Sequence, residues 1–304
     1  MDLSETLNER LLFAVPKKGR LHQNTLDVLK GSDIKFHRHN RLDIALVKNL
    51  PIALVFLPAA DIPTFVGEGK VSLGITGRDQ VLEHEAVVPP TDTTGVEEVL
   101  DLGFGGCKLQ VQVPAKGAIQ TPEQLVGKTV VTSFTNLATK YFRALESEGE
   151  QTTIKYVGGS VEAACALGVA DGIVDLVESG ETMRVAGLKA ISTVVESSAV
   201  LIVSKHPTDE KLIKIIKSRI KGWIDSQRYV SCKYNIHRDD LEAASKIAPG
   251  KRSPTVTTLH PENGWVAVEV MIEKSSIATK LDDLWEAGAK DILVLPLLNT
   301  RTSD

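Results

Sequence analysis

Short apolar runs alternate with segments of helical periodicity through most of this chain. The runs Leu11–Val15, Ile52–Leu57 and Val71–Ile75 contain no charged residue, which is typical of strands buried on both faces of a sheet. A helix is predicted between the first two runs, from Leu21 to a stop at Gly31. Helices between such strands indicate crossover connections and parallel pairing. The sequence therefore predicts an α/β protein.

A second series of the same kind follows a glycine-rich stretch, Gly103–Gly106. Apolar residues alternate with glutamines over Leu109–Val113, which predicts a half-buried strand, and Ile173–Val177 is a later apolar run. Segments near residues 106–113 and 195–204 would join the two series. We therefore predict two α/β lobes with a cleft at the carboxyl ends of their strands.

The order of elements changes from Arg228 onward. The predicted strands are Arg228–Tyr234, Pro254–Leu259, Trp265–Ile272 and Ile292–Leu297, and the predicted helices are Asp239–Ile247 and a segment that begins at Ser275 or Ser276 and ends at Gly288. This βαββαβ order is typical of a ferredoxin-like domain. No group of acids, bases or nucleophiles accompanies it, so a catalytic role is the least favoured.

These patterns predict three domains with definite boundaries. The first lobe comprises residues 1–105 with 195–225, and the second lobe comprises residues 106–194. The ferredoxin-like domain comprises residues 226–304.

Composition excludes several classes of protein. Lys and Arg total 35 against 39 Asp and Glu, for a net charge of −4, which argues against nucleic-acid or membrane-surface partners. The longest apolar stretch, Ile52–Ala60, is too short to span a bilayer, and the N-terminus lacks a secretory signal. The three cysteines, Cys107, Cys165 and Cys232, show neither disulfide nor zinc spacing. We therefore expect a cytoplasmic protein without a protein-built metal site.

The segment from Asp171 to Met183 carries the strongest chemical signal. An apolar strand with one inward acid, Asp175, leads into the turn Ser179-Gly180-Glu181-Thr182. Such a turn offers backbone N–H groups, hydroxyls and a glycine that tolerates positive φ, and a helix beginning near Thr182 would add a positive end. These features suit a phosphomonoester. An ordinary strand-to-helix turn with Ser179 as N-cap is the alternative, and the spacing alone leaves both open.

A longer pattern in this region resembles the signature of the ATP phosphoribosyltransferases. The matching positions are Glu162, Gly168, Ala170, Ile173, Asp175, Leu176, Ser179, Gly180, Thr182 and Met183. Further matches are the turn at 16–21, Asp61-Ile62-Pro63, the strand end at 73–77 and the crossing at 106–109, so the resemblance covers nearly the whole chain. One departure is that Pro58 and Ala59 stand where many members have an Arg before the Asp-Ile-Pro turn.

The resemblance implies a fold and an activity. The fold would be a bilobal, periplasmic-binding-protein-like catalytic body of two α/β lobes, with a C-terminal ferredoxin-like regulatory domain. The enzyme would join N1 of the ATP adenine to C1 of the ribose of phosphoribosyl pyrophosphate, releasing pyrophosphate, in the first step of histidine biosynthesis. Mg²⁺ would assist, histidine would inhibit, and the chain would form a homohexamer.

The resemblance also implies roles for individual residues. The second lobe would bind phosphoribosyl pyrophosphate through Glu178, Ser179, Gly180, Glu181 and Thr182. Glu162 and Asp175 would accept hydrogen bonds from the ribose hydroxyls, and Lys18 and Arg20 would meet the triphosphate or pyrophosphate. Gly19, Arg41 and Arg78 are further candidates for ATP or pyrophosphate. The alternatives are a helix-start acid at Glu162 and a solvated basic turn at Lys18 and Arg20.

Two rival functions remain open from the sequence. A solute-binding protein also has two α/β lobes joined by crossing strands, because fold does not determine function. The absence of an export signal and the presence of a third domain argue against it. A catalytically silent homologue is the second rival, and the complete pattern from Glu162 to Met183 argues against it. Release of pyrophosphate would separate an enzyme from both.

Overall fold

The computed structural model describes residues 7, 9–38, 42–261 and 263–301. The chain divides into two compact units, Met1–Asp27 with Ile34–Lys214 and Val28–Asp33 with Ile215–Asp304. The predicted site residue Arg41 lies outside the described residues.

Strands and α-helices alternate through much of the described chain, in the first unit and in the second. The strands are β1 (Leu11–Pro16), β2 (Ile44–Leu46), β3 (Ile52–Leu57), β4 (Leu73–Gly77), β5 (Val96–Asp101), β6 (Cys107–Pro114), β7 (Thr129–Thr132), β8 (Thr153–Tyr156), β9 (Gly172–Val177), β10 (Leu188–Ser197), β11 (Ala199–Ser204), β12 (Tyr229–His237), β13 (Thr255–Thr258), β14 (Trp265–Glu273) and β15 (Lys290–Pro296). The α-helices are α1 (His22–Gly31), α2 (Ile62–Gly67), α3 (Arg78–Glu85), α4 (Thr135–Arg143), α5 (Ala163–Ala166), α6 (Glu181–Val185), α7 (Glu210–Arg228), α8 (Leu241–Ile247) and α9 (Ile277–Glu286).

The first sheet has the strand order β2-β3-β1-β4-β11-β5. Its centre is parallel, with β1 between β3 and β4, whereas β2, β11 and β5 pair in the antiparallel sense. Ala14, Val200 and Ile202 pack with Ile62 and Val66 of α2 in a buried cluster. Burial on both faces explains the uncharged sequences of these central strands.

The second sheet has the strand order β10-β6-β9-β7-β8. The β7–β8 and β7–β9 pairs are parallel, and β6 and β10 are antiparallel. Leu137 and Phe142 of α4 join the core on one face, while Val161 and Ala164 join a second buried cluster. This sheet therefore carries helical structure on both faces, as an α/β lobe requires.

The second unit contains a four-stranded antiparallel sheet of order β13-β14-β12-β15. Its strands and helices follow the βαββαβ order that the sequence predicts. The buried core includes Tyr234 of β12, Val268 of β14, Ala244 of α8 and Leu284 of α9. The two-lobed body and the C-terminal domain are confirmed as the fold class, while the domain boundaries stay a prediction.

Several elements lie outside the sequence prediction. These elements are β2, β5, α3 and most of β10. Residues Pro122–Leu125 form a 3₁₀ turn. Among the described helices, none combines the length and apolarity that crossing a membrane would need.

Candidate active site

The turn after β9 contains a glycine in the left-handed region, followed directly by a short helix. Gly180 has φ of 74° in the left-handed region and is the N-cap of α6, so Ser179 is not the N-cap. The Ser179 Oγ accepts a hydrogen bond from the Glu181 N–H at 3.4 Å. The first N–H groups of a helix have no partner within it. Residues 179–182 therefore present polar hydrogens beside a glycine that has no Cβ.

This turn forms one wall of a cavity of about 340 Å³ in the second lobe. The lining residues are Gln112, Glu162, Asp175, Leu176, Val177, Glu178, Ser179, Gly180, Glu181, Thr182 and Met183. Seven of these are site residues that the sequence predicts. The structure thus brings together the two acids and the whole turn.

Asp175 is a partly buried acid of the cavity, and Glu162 lies close enough to act on it. Burial raises the pKa of the Asp175 carboxyl, and the negative charge of Glu162 raises it further, against a hydrogen bond that lowers it. That bond is donated by the Leu176 N–H to Asp175 Oδ1 at 2.9 Å. Glu162 is the N-cap residue of α5, but its side chain makes no capping hydrogen bond. Its carboxylate is therefore available to the cavity.

Gln112 is a lining residue that the sequence analysis missed. It lies on β6, is buried, and its Nε2 donates to the Asp175 carbonyl at 3.3 Å. The two residues are 63 positions apart and meet only through the antiparallel pairing of β6 with β9. No local sequence signal could have found this contact.

The basic residues predicted near Lys18 belong to the first lobe and do not line this cavity. Lys18 is exposed, and the described residues give it no ion pair. Gly19 has φ of 87°, so the turn after β1 depends on a glycine. Arg20 is engaged within the protein, because its Nη2 lies 2.9 Å from Asp79 Oδ1 and its Nη1 donates to the Gly105 carbonyl at 2.5 Å.

Arg78 is also held by carboxylates. Its guanidinium lies 2.5 Å from Glu98 and 3.1 Å from Asp101, and its Nη1 donates to Ser198 Oγ at 3.2 Å. The hydrogen bond to Glu98 is the largest cause that holds the pKa of Arg78 above its ordinary value. A direct contact of Arg20 or Arg78 with a substrate would require these partners to be shared or exchanged. Both roles stay predictions.

A second cavity, of about 550 Å³, lies in the C-terminal unit. Its lining residues are Ser231, Lys251, Arg252, Ser253, Thr255, Glu269, Val270, Met271, Leu297 and Arg301. Glu269 accepts a hydrogen bond from Ser231 at 2.9 Å and pairs with Lys233 at 3.3 Å, and these contacts lower its pKa. The cavity therefore combines a carboxylate with several cationic side chains.

Comparison with known proteins decides the family. The family description "ATP phosphoribosyltransferase" matches residues 58–222, and "HisG, C-terminal domain" matches residues 226–299. An ATP phosphoribosyltransferase of Yarrowia lipolytica is 61% identical over 99% of this chain and 100% of its own length. The chain belongs to the ATP phosphoribosyltransferase family. The same coverage holds for the ATP phosphoribosyltransferase of Saccharomyces cerevisiae, at 56% identity.

A solved structure agrees on the fold. The ATP phosphoribosyl transferase (HisG:HisZ) complex from Thermotoga maritima matches with a TM-score of 0.58 at 23% identity, covering 69% of this chain and 96% of that one. The resemblance inferred from the signature and the enzyme class, a pentosyltransferase, are confirmed by family membership. The individual ATP phosphoribosyltransferase site residues stay predictions.

Proposed function

We propose that this chain condenses ATP with phosphoribosyl pyrophosphate, forming N1-(5-phosphoribosyl)-ATP and pyrophosphate as the first step of histidine biosynthesis. The observation that carries the proposal is the second-lobe cavity. It gathers Glu162, Asp175 and the 179–182 turn around one space, although Glu162 lies on a different element from the turn.

The chemistry needs positioning and charge neutralisation more than a nucleophile. Pyrophosphate is already an activated leaving group, so the ribose C1 becomes oxocarbenium-like as the C–O bond breaks and negative charge grows on the pyrophosphate. The adenine N1 then forms the new bond with inversion at C1. Catalysis of this kind depends on holding two polyanions in register and on donors aimed at the departing charge.

The second lobe supplies the contacts to the ribose 5-phosphate. The N–H groups at the start of α6 and the hydroxyls of Ser179 and Thr182 donate to its oxygens. Glu178 and Glu181 border the same cavity. Glu162 and Asp175 accept hydrogen bonds from the 2- and 3-hydroxyls. Gln112 Nε2 donates a hydrogen bond to the Asp175 carbonyl and so helps to position this residue.

The first lobe supplies the positive charge. Lys18 and Gly19 lie in the turn after β1, at the carboxyl edge of a parallel strand, where ligands of α/β sheets bind. Lys18, Arg20 and Arg78, together with Arg41, meet the triphosphate of ATP or the pyrophosphate. Among the three of these that the structure describes, Lys18 is the most readily available, because it is exposed and Arg20 and Arg78 have carboxylate partners.

Mg²⁺ fits the donor set of the cavity. Glu162 and Asp175 offer hard oxygen ligands, the type that Mg²⁺ prefers. Within the described residues no three His, Cys, Asp or Glu side chains are grouped to hold a metal ion, so substrate phosphate oxygens would provide the rest of the coordination. When bound, the ion neutralises phosphate charge.

Histidine is the proposed inhibitor, bound in the C-terminal unit. The second cavity is lined by Ser231 of β12, Thr255 of β13 and residues 269–271 of β14. A zwitterion matches its lining, because Lys251 can meet a carboxylate and Glu269 can meet an ammonium group.

The proposed assembly is a homohexamer. The free thiols of Cys107, Cys165 and Cys232 support a reducing compartment such as the cytoplasm.

A pyrophosphate-release assay tests the proposed activity. We expect release only when ATP and phosphoribosyl pyrophosphate are both present with Mg²⁺. The variant Thr182→Ala should weaken phosphoribosyl pyrophosphate binding by on the order of 1.5–3 kcal/mol, because it removes a donor to a charged group. Thr153→Ala, at an exposed position on β8, is the control and should bind as the parent does. Binding of the substrates without any turnover would reject the enzyme in favour of a binding protein.

A further inference from the structure

Helix α3 of the first lobe turns one face toward the second lobe. Leu82 and Glu83 follow Asp79 by three and four residues, so the three side chains share one side of the helix. Leu82 packs against the buried core of the second lobe, whereas Val81 belongs to the core of the first lobe. The proposed reaction has so far used none of these residues.

The first contact of this face is with a segment that joins the lobes. The Asp79 side chain is fully buried, and its Oδ1 accepts hydrogen bonds from Ser197 Oγ at 2.5 Å and from Arg20 Nη2 at 2.9 Å. Ser197 Oγ in turn accepts from the Asp79 N–H at 2.9 Å. Ser197 ends β10 of the second sheet, and Ala199 begins β11 of the first. This contact therefore anchors the junction between the lobes to α3.

The second contact reaches into the body of the second lobe. Glu83 Oε1 accepts hydrogen bonds from the backbone N–H and from the side-chain Nδ2 of Asn136, both at 2.8 Å. Its Oε2 accepts from the Leu137 N–H at 2.8 Å. These amides belong to the first turn of α4, where a carboxylate satisfies N–H groups that lack partners within the helix and favours the helix dipole.

This second contact lies at the same edge of the second sheet as the 179–182 turn. Helix α4 follows β7, whose Thr132 pairs in parallel with Val174 of β9, and the turn follows β9. A junction anchored at Ser197 alone could still pivot. A second attachment, one helical turn away on α3, restrains the angle between the lobes.

We infer that Glu83 is a positioning residue that sets the separation between the 179–182 turn and the basic residues of the first lobe. The inference rests on the proposed function, in which the two lobes hold different parts of the reacting pair. Glu83 acts through α4 and touches no substrate. It governs the step in which the ribose C1 and the adenine N1 meet, and it leaves the phosphate contacts of the second lobe intact.

The test compares Glu83→Ala and Glu83→Gln with Glu97→Ala, which removes an exposed acid from β5 of the same lobe. Binding of phosphoribosyl pyrophosphate with Mg²⁺, measured by titration calorimetry without ATP, should stay within about twofold of the parent in all three. The kcat of Glu83→Ala should fall by about tenfold or more, because small displacements of reacting groups cost large factors in rate. Glu83→Gln keeps one acceptor oxygen, so it should recover part of the loss.

Two results would overturn the inference. One is an unchanged kcat in folded Glu83→Ala, or in Glu83→Gln if the alanine variant does not fold. The other is a loss of phosphoribosyl pyrophosphate binding that parallels the loss of kcat, because that indicates direct contact with the substrate. Hydrogen exchange at the Asn136 and Leu137 amides gives a readout that does not depend on turnover. Exchange should accelerate in the Glu83 variants and not in Glu97→Ala. If the parent protein released no pyrophosphate, the proposed function would be rejected, but hydrogen exchange would still show whether Glu83 stabilises the start of α4.

Discussion

Gly180 is the residue on which the shape of the proposed phosphate-binding turn most depends. Its φ of 74° is costly for any residue with a Cβ, and an added Cβ would lie 2.9 Å from Arg184 Nη1 and 3.5 Å from Met183 Cε. Gly187 has a similar φ of 71° with nothing within 4 Å of the same point. Comparing substitutions at Gly180 and Gly187 therefore separates the cost of backbone strain from the effect of crowding in the cavity.

We predict that Gly180→Ala and Gly187→Ala each lower the free energy of unfolding by about 1 kcal/mol, because both force a left-handed residue to carry a Cβ. Only Gly180→Ala should also weaken binding of phosphoribosyl pyrophosphate, since only that residue lines the cavity. Thermal unfolding and titration calorimetry measure the two effects. Equal losses of affinity in both variants would contradict a specific role for the turn.

Asp175 gives a prediction that depends on pH. Burial raises the pKa of its carboxyl, so the folded chain binds this proton more tightly than the unfolded chain does. The ionised side chain therefore destabilises the fold at neutral pH, and this penalty disappears once the pH falls below the pKa of the unfolded chain. Asp175→Asn should raise the melting temperature at neutral pH, with the difference from the parent narrowing in acid. The same variant should bind phosphoribosyl pyrophosphate about tenfold more weakly, because it loses a charged acceptor. A lower melting temperature at neutral pH would reject the argument.

At the scale of elements, the sequence predicts those whose stability is local and apolar. The central strands β1, β3 and β9 differ from their predicted bounds by one residue at most, because uninterrupted apolar runs mark them. Helix α3 was missed because it is polar. Its buried residues are Asp79 and Val81, and Asp79 is stabilised by Arg20 and Ser197, which are distant in sequence. Strand β5, at the edge of the first sheet, was missed as well, because three of its six residues are acidic and interrupt the apolar pattern.

The candidate site likewise has one part that the sequence predicts and another that it does not. The stretch from Asp175 to Met183 could be predicted because one continuous segment carries the strand, the glycine and the turn. Gln112 and the α3 contacts of Glu83 could not, since they depend on pairing between strands and on packing between lobes. The partners of Arg20 and Arg78 were equally beyond local reasoning.

Helices α1 and α7 meet at a position that tolerates only glycine. A Cβ on Gly31 would lie 1.8 Å from Nε1 of Trp223, inside van der Waals contact. Gly31→Ala should therefore lower the free energy of unfolding by about 1–3 kcal/mol, the usual cost of overpacking. Adding Trp223→Leu should recover part of this, so that the double variant is more stable than the sum of the single effects predicts. Urea unfolding measures all four proteins, and strict additivity would show that the two side chains do not meet.

At the scale of the whole molecule, an exposed apolar edge and the second cavity belong to the same sheet. Strand β15 lies at its edge, and Leu293 and Leu295 are 58% and 45% exposed there, with Leu298 87% exposed just beyond. Exposed apolar side chains on an edge strand favour contact with another chain. Because β15 pairs with β12, which contributes Ser231 to the cavity, a ligand in the cavity would contact the strand next to this exposed edge.

This arrangement leads to a prediction for histidine. Saturating histidine should lower the rate of pyrophosphate release, and Lys251→Ala should raise the half-inhibiting concentration by about tenfold or more, because a lost charge-assisted hydrogen bond costs roughly 1.5–3 kcal/mol. Lys246→Ala is the matched control, since that exposed lysine pairs with Glu242 on its own helix and does not line the cavity. Inhibition curves are recorded beside the molar mass from light scattering. If a verified hexamer ignored histidine, the C-terminal unit would lose its proposed role as a sensor. If both lysine variants responded as the parent does, the proposed contact between Lys251 and the inhibitor would be rejected.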